Sequence, residues 1–264
     1  MQPVRPLEAI LRRDRLIVFA ALVLMAASAW AYLGYLVWDM DRDDNSGSMF
    51  MAMSQVMPWA RIEFGLTFFM WAVMMMAMMV PTAAPILLIF AVVNRRRFEH
   101  NQPFVPTGMF LLGYLIVWFA FAVLATGIQW GLHQAALLST MKGSAIPVIG
   151  GVILLAAGAF QWTSVKNACL TQCRTPMGFI MTEWRDGSKG ALIMGLSHGK
   201  YCLGCCWFLM GLMFVAGVMN VLWMAVVALY ILVEKIVPAG HWVGRVAGVG
   251  LIGWGTWTLF RVVV

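Results

Sequence analysis

Residues 107–132 read TGMFLLGYLIVWFAFAVLATGIQWGL, an apolar run without any Asp, Glu, Lys or Arg. A helix of about 20 apolar residues spans the hydrocarbon core of a bilayer, so this run predicts a transmembrane helix. The whole chain is 62% hydrophobic and 11% charged, whereas roughly a quarter of an ordinary soluble domain is charged. A soluble core of this length cannot bury so much apolar surface. The composition therefore predicts an integral membrane protein.

Apolar runs of spanning length recur along the chain and predict an all-α, polytopic transmembrane helical bundle of about seven helices. Only short segments separate the runs, so we expect a single integral membrane domain over residues 1–264, with an N-terminal tail over 1–15. The first run follows several arginines, as in a signal peptide, but it is about twice as long as a signal core and is expected to be retained. The runs are 16–38, 64–93, 107–132, 146–165, 191–217, 221–237 and 241–262.

The distribution of Lys and Arg predicts the orientation. Of the 18 basic residues, 13 lie in segments on the same side as the N-terminus, four lie on the opposite side, and Lys200 lies inside the fifth run. The positive-inside rule then predicts a cytoplasmic N-terminus and, with seven spans, an external C-terminus. The basic residues behind the net charge of +7 lie in short patches between the apolar runs. This pattern is typical of membrane topology, so no nucleic acid partner is expected. We expect a multi-pass protein of the bacterial inner (cytoplasmic) membrane, surrounded by lipid.

A dense group of metal-binding residue types lies in the fifth run, in the stretch HGKYCLGCCW over residues 198–207. Only five cysteines occur in the chain, and three of them fall within five positions. On a helix, His198, Cys202, Cys205 and Cys206 follow an i, i+4, i+7, i+8 pattern and share one face. Thiolates with imidazole bind soft or borderline metals, so we predict a metal site. The competing interpretation is that these cysteines only pack as small apolar side chains.

Two further sets of sulfur ligands are candidates for the same site. Cys169 and Cys173 are spaced i, i+4 at the cytoplasmic end of the fourth run, where they are expected to exchange metal with a donor in the cytosol. Met75, Met76 and Met79 lie in the second run and are expected to be transient ligands. Counted at ~1.5 Å per residue, Met76 and Met79 lie at the same ~17–26 Å depth as the cysteines of the fifth run. Methionine is also a common packing residue, which is the alternative for this row.

Prolines and charges within the runs give additional expectations. Pro81 and Pro85 are expected to interrupt the second helix beside the metal site. Lys200 adjoins the cysteines and is expected to offset thiolate charge, whereas Glu234 and Lys235 are expected to snorkel to the inner boundary. An external group of methionines favours an amphipathic surface segment over a Cu(I) site. These methionines are Met49, Met51, Met53 and Met57.

Four motifs taken together resemble those of a bacterial family of unknown function. They are MMAMMVP over 75–81, QWT over 161–163 with Lys166, CLTQCRTP over 169–176, and HGKYCLGCCW over 198–207. Members of that family are described as predicted metal-binding integral membrane proteins with an association to copper handling. The similarity covers about residues 60–240, which form the core that carries the motifs. The resemblance implies a membrane fold with a metal site at these motifs.

The sequence favours Cu(I) handling, either for transport or for delivery to a copper enzyme. Cys202, Cys205 and Cys206 are the expected thiolate ligands, with His198 as a fourth ligand or an entry residue, and the partner is a metal chaperone or a recipient metalloprotein. Zinc is the alternative metal. A membrane thiol–disulfide oxidoreductase and a non-catalytic assembly subunit with a structural zinc or cysteine cluster are the alternative functions. Without nucleotide-binding or catalytic motifs, the chain is not an ATP-driven pump and is expected to bind rather than to catalyse.

Overall fold

The structure is a computed structural model that describes residues 5–42, 61–100, 103, 105–135, 137–138, 145–237 and 240–263. The predicted external methionine segment over residues 49–57 lies outside the described residues. Within them the chain is all-α. The helices are α1 (Arg5–Arg42), α2 (Arg61–Glu99), α3 (Thr107–Gln134), α4 (Pro147–Phe160), α5 (Ser164–Arg174), α6 (Pro176–Glu183), α7 (Gly187–Gly211), α8 (Met213–Ala216), α9 (Val221–Ile236) and α10 (Gly240–Val263).

Five of these helices contain a stretch long and apolar enough to cross a membrane, which confirms the expectation of several apolar spans. They are Leu16–Trp38 in α1, Ile62–Glu99 in α2, Thr107–Gln134 in α3, Gly187–Ala216 over α7 and α8, and Gly240–Val263 in α10. A sixth span results if the bent pair of α4 and α5 counts as one. Helix α9 has 16 residues, fewer than the ~20 that a span requires. The described residues therefore provide five or six spans, not seven.

Burial is greatest in α2, which packs against both α1 and α3. Helix α7 packs against α3 and α5, and α10 packs against α4. The outer helices α1 and α10 expose large apolar side chains such as Leu24 and Val246, which are 70% and 69% exposed. Such side chains are stable where the surrounding medium is hydrocarbon. The bundle thus has α2, α3 and α7 at its centre.

Helix α2 continues through Pro81 and Pro85, so the prediction of an interrupted helix is wrong. A proline removes the N–H that would bond the carbonyl four residues before it. The indole of Trp30 on α1 donates to that carbonyl, the one of Ala77, at 3.0 Å. Transmembrane helices tolerate proline when a neighbouring helix satisfies the released carbonyl in this way. The contact between α1 and α2 therefore satisfies the carbonyl that Pro81 releases.

The predicted run 146–165 is not one straight helix, because α4 ends at Phe160 and α5 begins at Ser164 with a bend of 67°. The hydroxyl of Thr163 accepts a hydrogen bond from the N–H of Lys166 at 3.3 Å. Threonine is a favourable N-cap residue because it satisfies a free N–H in the first turn. The cap starts a new helix in a different direction, and this helix carries Cys169 and Cys173.

Helices α3 and α7 approach each other closely where glycines face each other. A side chain at Gly195 would collide with the main-chain carbonyl of Phe110, and one at Gly113 would lie 2.9 Å from the N of Leu196. Small residues allow transmembrane helices to pack backbone against backbone. This contact fixes the cysteine-bearing face of α7 against the middle of α3.

Candidate metal centre

The face of α7 that carries the sequence motif points into the bundle. His198, Cys202, Cys205 and Cys206 are between 0% and 3% exposed. The thiols of Cys205 and Cys206 both donate to the carbonyl of Cys202, at 3.1 and 2.7 Å. The side chains of Cys202 and Cys205 also interact with that of Cys206. The helical spacing therefore places three thiols together in a site closed to solvent.

A fourth thiol reaches this group from another helix. Cys173, in the last turn of α5, interacts through its side chain with both Cys202 and Cys205. Helix α5 packs along α7, and the other cysteine of α5, Cys169, lies beside Gly204, where an added Cβ would be 2.7 Å from its sulfur. All five cysteines are free thiols. The spacing within one helix did not determine whether α5 and α7 meet, and the structure brings them together.

We call Cys173, Cys202, Cys205 and Cys206 the thiol cluster. A positively charged side chain lies beside this cluster. It is Lys235 of α9, whose Nζ lies 3.0 Å from the sulfur of Cys202. The same nitrogen donates to the hydroxyl of Thr82 on α2 at 3.0 Å. Lys235 is 9% exposed, and an ammonium so placed offsets the charge of a neighbouring thiolate.

Two expectations about charged residues are corrected here. Lys200, which was expected to offset thiolate charge, is exposed on the opposite side of α7. Glu234 and Lys235 do not snorkel, because both are buried, and Glu234 forms an ion pair with Lys166 of α5 at 2.6 Å. Buried charges inside a bundle usually pair and mark functional sites. That signal was present in the sequence as charges inside an apolar segment, but it does not identify the partner.

Tyr114 of α3 connects the thiol cluster to α2. Its hydroxyl donates to the carbonyl of Met79 at 3.1 Å and lies 3.2 Å from the sulfur of Cys202. Met75 and Met79 are fully buried and Met76 is partly buried in the same core. The contact between Met79 and the site runs through its main-chain oxygen. A role of the three thioethers as ligands stays a prediction.

His198 lies one turn before Cys202 in a pocket of aromatic rings. The rings of Phe179, Tyr114 and Phe110 have centroids 5.3, 5.9 and 6.1 Å from that of the imidazole. Its Nδ1 is buried without a hydrogen-bond partner among the described residues. A buried polar atom without a partner is costly, and an imidazole nitrogen that no hydrogen bond occupies retains the capacity to bind a metal.

The described residues do not contain three or more His, Cys, Asp or Glu side chains already arranged around a metal position. The thiols of Cys205 and Cys206 instead donate to the carbonyl of Cys202. Thiolate is the form that binds metal, so these thiols must lose protons and turn toward a common centre when they take up an ion. The donor set, rich in sulfur beside one cation, fits a soft monovalent metal as cargo.

Comparison with known proteins points in the same direction. A family model of copper chaperones, PpoB2, matches residues 68–258. The match contains the methionine row of α2, all five cysteines, His198 and the buried charges of α5 and α9. No curated protein and no solved structure matches the chain.

Proposed function

The chain belongs to the PpoB2 family of copper chaperones, and from this membership we propose that it binds Cu(I) at the thiol cluster for delivery to a copper enzyme. The observation that carries the proposal is the meeting of Cys173 with Cys202 and Cys205 beside the buried Lys235. Soft thiolate ligands select Cu(I). Because Cys173 comes from α5 and the other thiols come from α7, a movement of one helix changes the number of ligands on the ion.

Each candidate ligand has a distinct place in this proposal. Cys202 and Cys205 hold the ion, and Cys173 is the third ligand, contributed by α5. Cys206, whose thiol donates to the Cys202 carbonyl at 2.7 Å, supports the other thiols and exchanges with them as a ligand of the ion. Cys169 is partly exposed and receives the ion from a cytosolic donor.

The remaining predicted ligands lie around this path. The Nδ1 of His198 has no partner among the described residues, and we assign it to the uptake or release of the ion. Met75, Met76 and Met79 are transient thioether ligands on the α2 side of the site. The protein would act in the bacterial inner membrane, with a metal chaperone as donor and a recipient metalloprotein as acceptor.

Metal analysis of the purified protein tests the proposal. The full-length protein, isolated anaerobically in detergent with a reductant, is expected to retain copper, and the Cys202/Cys205/Cys206→Ser triple variant is expected to lose it. Equal copper in the two proteins would refute the site. Zinc in place of copper would refute delivery of Cu(I) and favour a structural cluster. A metal-free protein with a reducible Cys173–Cys202 disulfide would favour the oxidoreductase.

A pair of histidine variants controls for nonspecific loss of metal. His198→Ala removes an imidazole one turn from Cys202, and we expect slower transfer of Cu(I) to an added chelator. His133→Ala makes the same chemical change at the end of α3, outside the thiol cluster, and is expected to leave the transfer rate unchanged. Equal transfer rates in the two variants would exclude His198 from the path.

A further inference from the structure

Helix α9 carries two adjacent charged residues that contact different helices. Glu234 pairs with Lys166 of α5 at 2.6 Å, with both side chains no more than 2% exposed. Lys235 reaches Cys202 of α7 at 3.0 Å. These two helices supply the four thiols of the cluster. One turn of α9 therefore contacts both sources of metal ligands.

Helix α5 is short, and it contacts α9 in addition to packing along α7. It has 11 residues, is bent by 67° from α4, and is followed by Thr175, whose φ and ψ of −113° and 65° are not helical. Helices shorter than about 12–15 residues are marginal alone. Both ends of α5 contact α9 or the residue that follows it, because Arg174 donates to the carbonyl of Val237 at 2.8 Å.

The ion pair of Lys166 and Glu234 is enclosed on every side that the structure describes. The amide oxygen of Gln161 accepts from Lys166, and the hydroxyl of Tyr230 donates to Glu234 at 3.4 Å. On the side of α10, a Cβ at Gly244 would lie 2.6 Å from the carboxylate. Removing one partner leaves a buried charge uncompensated, which is strongly unfavourable. The pair is therefore expected to stay closed unless α5 or α9 moves.

We propose that the Lys166–Glu234 pair is a latch that holds α5 against α7, so that Cys173 is the third ligand of Cu(I), and that opening the latch withdraws Cys173 and permits release. Lys166 and Glu234 are positioning residues, because they act through Cys173 and do not touch the ion. This inference rests on the proposed function for its consequence, but the geometry of the latch is testable without metal.

The step is an exchange of ligands. The bond between Cu(I) and the Cys173 sulfur breaks, and the ion keeps the sulfurs of Cys202 and Cys205. A thiolate of the acceptor then takes the vacated position, and the remaining two bonds break in turn. Copper stays Cu(I) throughout, so no electron donor or acceptor is required. The latch sets how readily the first bond breaks.

Cross-linking in the metal-free protein tests the geometry. Dibromobimane joins two thiols that lie close together, and peptide mass spectrometry identifies Cys173 linked to Cys202 or Cys205. We expect efficient cross-linking in the wild type and at least a fivefold loss in Glu234→Gln. Glu99→Gln, which removes a carboxylate from the surface pair with Arg95, is the matched control and is expected to cross-link as the wild type does.

Exchange of the two charges distinguishes loss of the ion pair from a general loss of folding. In the Lys166→Glu/Glu234→Lys double variant the charges are exchanged, and the amide of Gln161 provides a donor for the new carboxylate because its Nε2 is buried without a partner among the described residues. Cross-linking is expected to recover. If Glu234→Gln fails to fold, Glu234→Asp replaces it, with partial loss expected. Cross-linking at the wild-type level in Glu234→Gln, or in Glu234→Asp where it is used instead, would overturn the latch.

Release of Cu(I) to an excess of the chelator bathocuproine disulfonate tests the consequence. Glu234→Gln is expected to release Cu(I) at least tenfold faster than the wild type, and Cys173→Ser to match it. The Glu234→Gln/Cys173→Ser double variant is expected to be no faster than either single variant. Additive acceleration would overturn action through Cys173. Absence of copper with intact cross-linking differences would refute the proposed function and leave the latch standing.

Discussion

The ammonium nitrogen of Lys235 lies 3.0 Å from the sulfur of Cys202, inside the bundle. Its second contact, to the hydroxyl of Thr82, holds it in place from α2. Cu(I) with the three thiolates of Cys173, Cys202 and Cys205 carries two negative charges. The ammonium of Lys235 offsets one of them, which lowers the cost of holding the unit in a medium of low dielectric.

Replacement of Lys235 tests this role. Lys235→Met keeps the apolar stem and removes the charge, and we expect Cu(I) to bind about 10- to 100-fold more weakly, because a hydrogen bond with a charged group contributes about 1.5–3 kcal/mol. Lys235→Arg is expected to recover part of the affinity. Competition with a chromophoric Cu(I) chelator gives the dissociation constants.

The matched control is Lys200→Met, which makes the same change two residues before Cys202 at an exposed position. Its affinity is expected to equal that of the wild type. If the two lysine variants weaken binding equally, the effect is one of overall charge, and the contact between Lys235 and Cys202 has no particular part in it.

The local pattern of the site could be predicted from the sequence, and its long-range contacts could not. The i, i+4, i+7, i+8 spacing determines which residues of α7 share a face, because helical periodicity is a property of one segment. Which lysine reaches that face depends on the rotation of α9 against α7. Sequence proximity favoured Lys200, and packing selected Lys235. The meeting of Cys173 with Cys202 is likewise a tertiary contact.

The fold shows the same division. Apolar length identified the spans of α1, α2, α3, α7 and α10, because transfer into hydrocarbon depends on composition. The bend after Phe160 lies at the end of the predicted run 146–165, where Gln161, Thr163 and Ser164 are polar, and the cap at Thr163 marks the start of the new helix. At Pro81 the sequence predicted a break that the structure does not contain. Its helix-breaking tendency is local, whereas the indole of Trp30 that compensates for it comes from α1.

The close contact of α3 and α7 predicts a strong effect of a single methyl group. In Gly195→Ala the added Cβ collides with the main-chain carbonyl of Phe110, and a main-chain atom cannot move aside as a side chain can. We expect destabilisation by at least about 1–3 kcal/mol, together with loss of bound copper. Thermal unfolding in detergent and metal content measure the two effects.

Gly127→Ala provides the control for helix propensity. Gly127 lies on α3, and a Cβ there has open space within 4 Å. Alanine in a helix interior is favoured over glycine by roughly 0.5–1 kcal/mol, so this variant is expected to be neutral or slightly more stable. Equal destabilisation in the two variants would argue against close backbone packing between α3 and α7.

Asp186, at the N-terminus of α7 and outside the span, predicts a dependence on pH. The hydrogen bond from the indole of Trp184, at 2.8 Å, with the help of Arg97 at 3.1 Å, holds the pKa of Asp186 below its ordinary value near 3.8. A lowered pKa in the folded state means that the contact is complete above the ordinary pKa and is lost as the pH falls through the folded value.

The indole N–H signal of Trp184 reports this titration by nuclear magnetic resonance of the protein in micelles, assigned with Trp184→Phe. We expect a constant signal from neutral pH to about pH 4 and a shift below it. In Asp186→Asn the signal is expected to be independent of pH. A transition centred above the ordinary carboxyl pKa in the wild type would contradict the hydrogen bond.

The two cysteines of α5 are expected to differ in their effect on the bound ion. Cys173 interacts with Cys202 and Cys205, whereas Cys169 lies beside Gly204 at the margin of the thiol cluster. X-ray absorption of the Cu(I)-loaded protein is expected to show three sulfur ligands in the wild type and in Cys169→Ser, and two in Cys173→Ser. Two-coordinate copper with thiolates is stable, so Cys173→Ser is expected to retain the ion but to release it faster. Loss of a sulfur ligand in Cys169→Ser, with none lost in Cys173→Ser, would reverse the assignment and place the third ligand one turn earlier on α5.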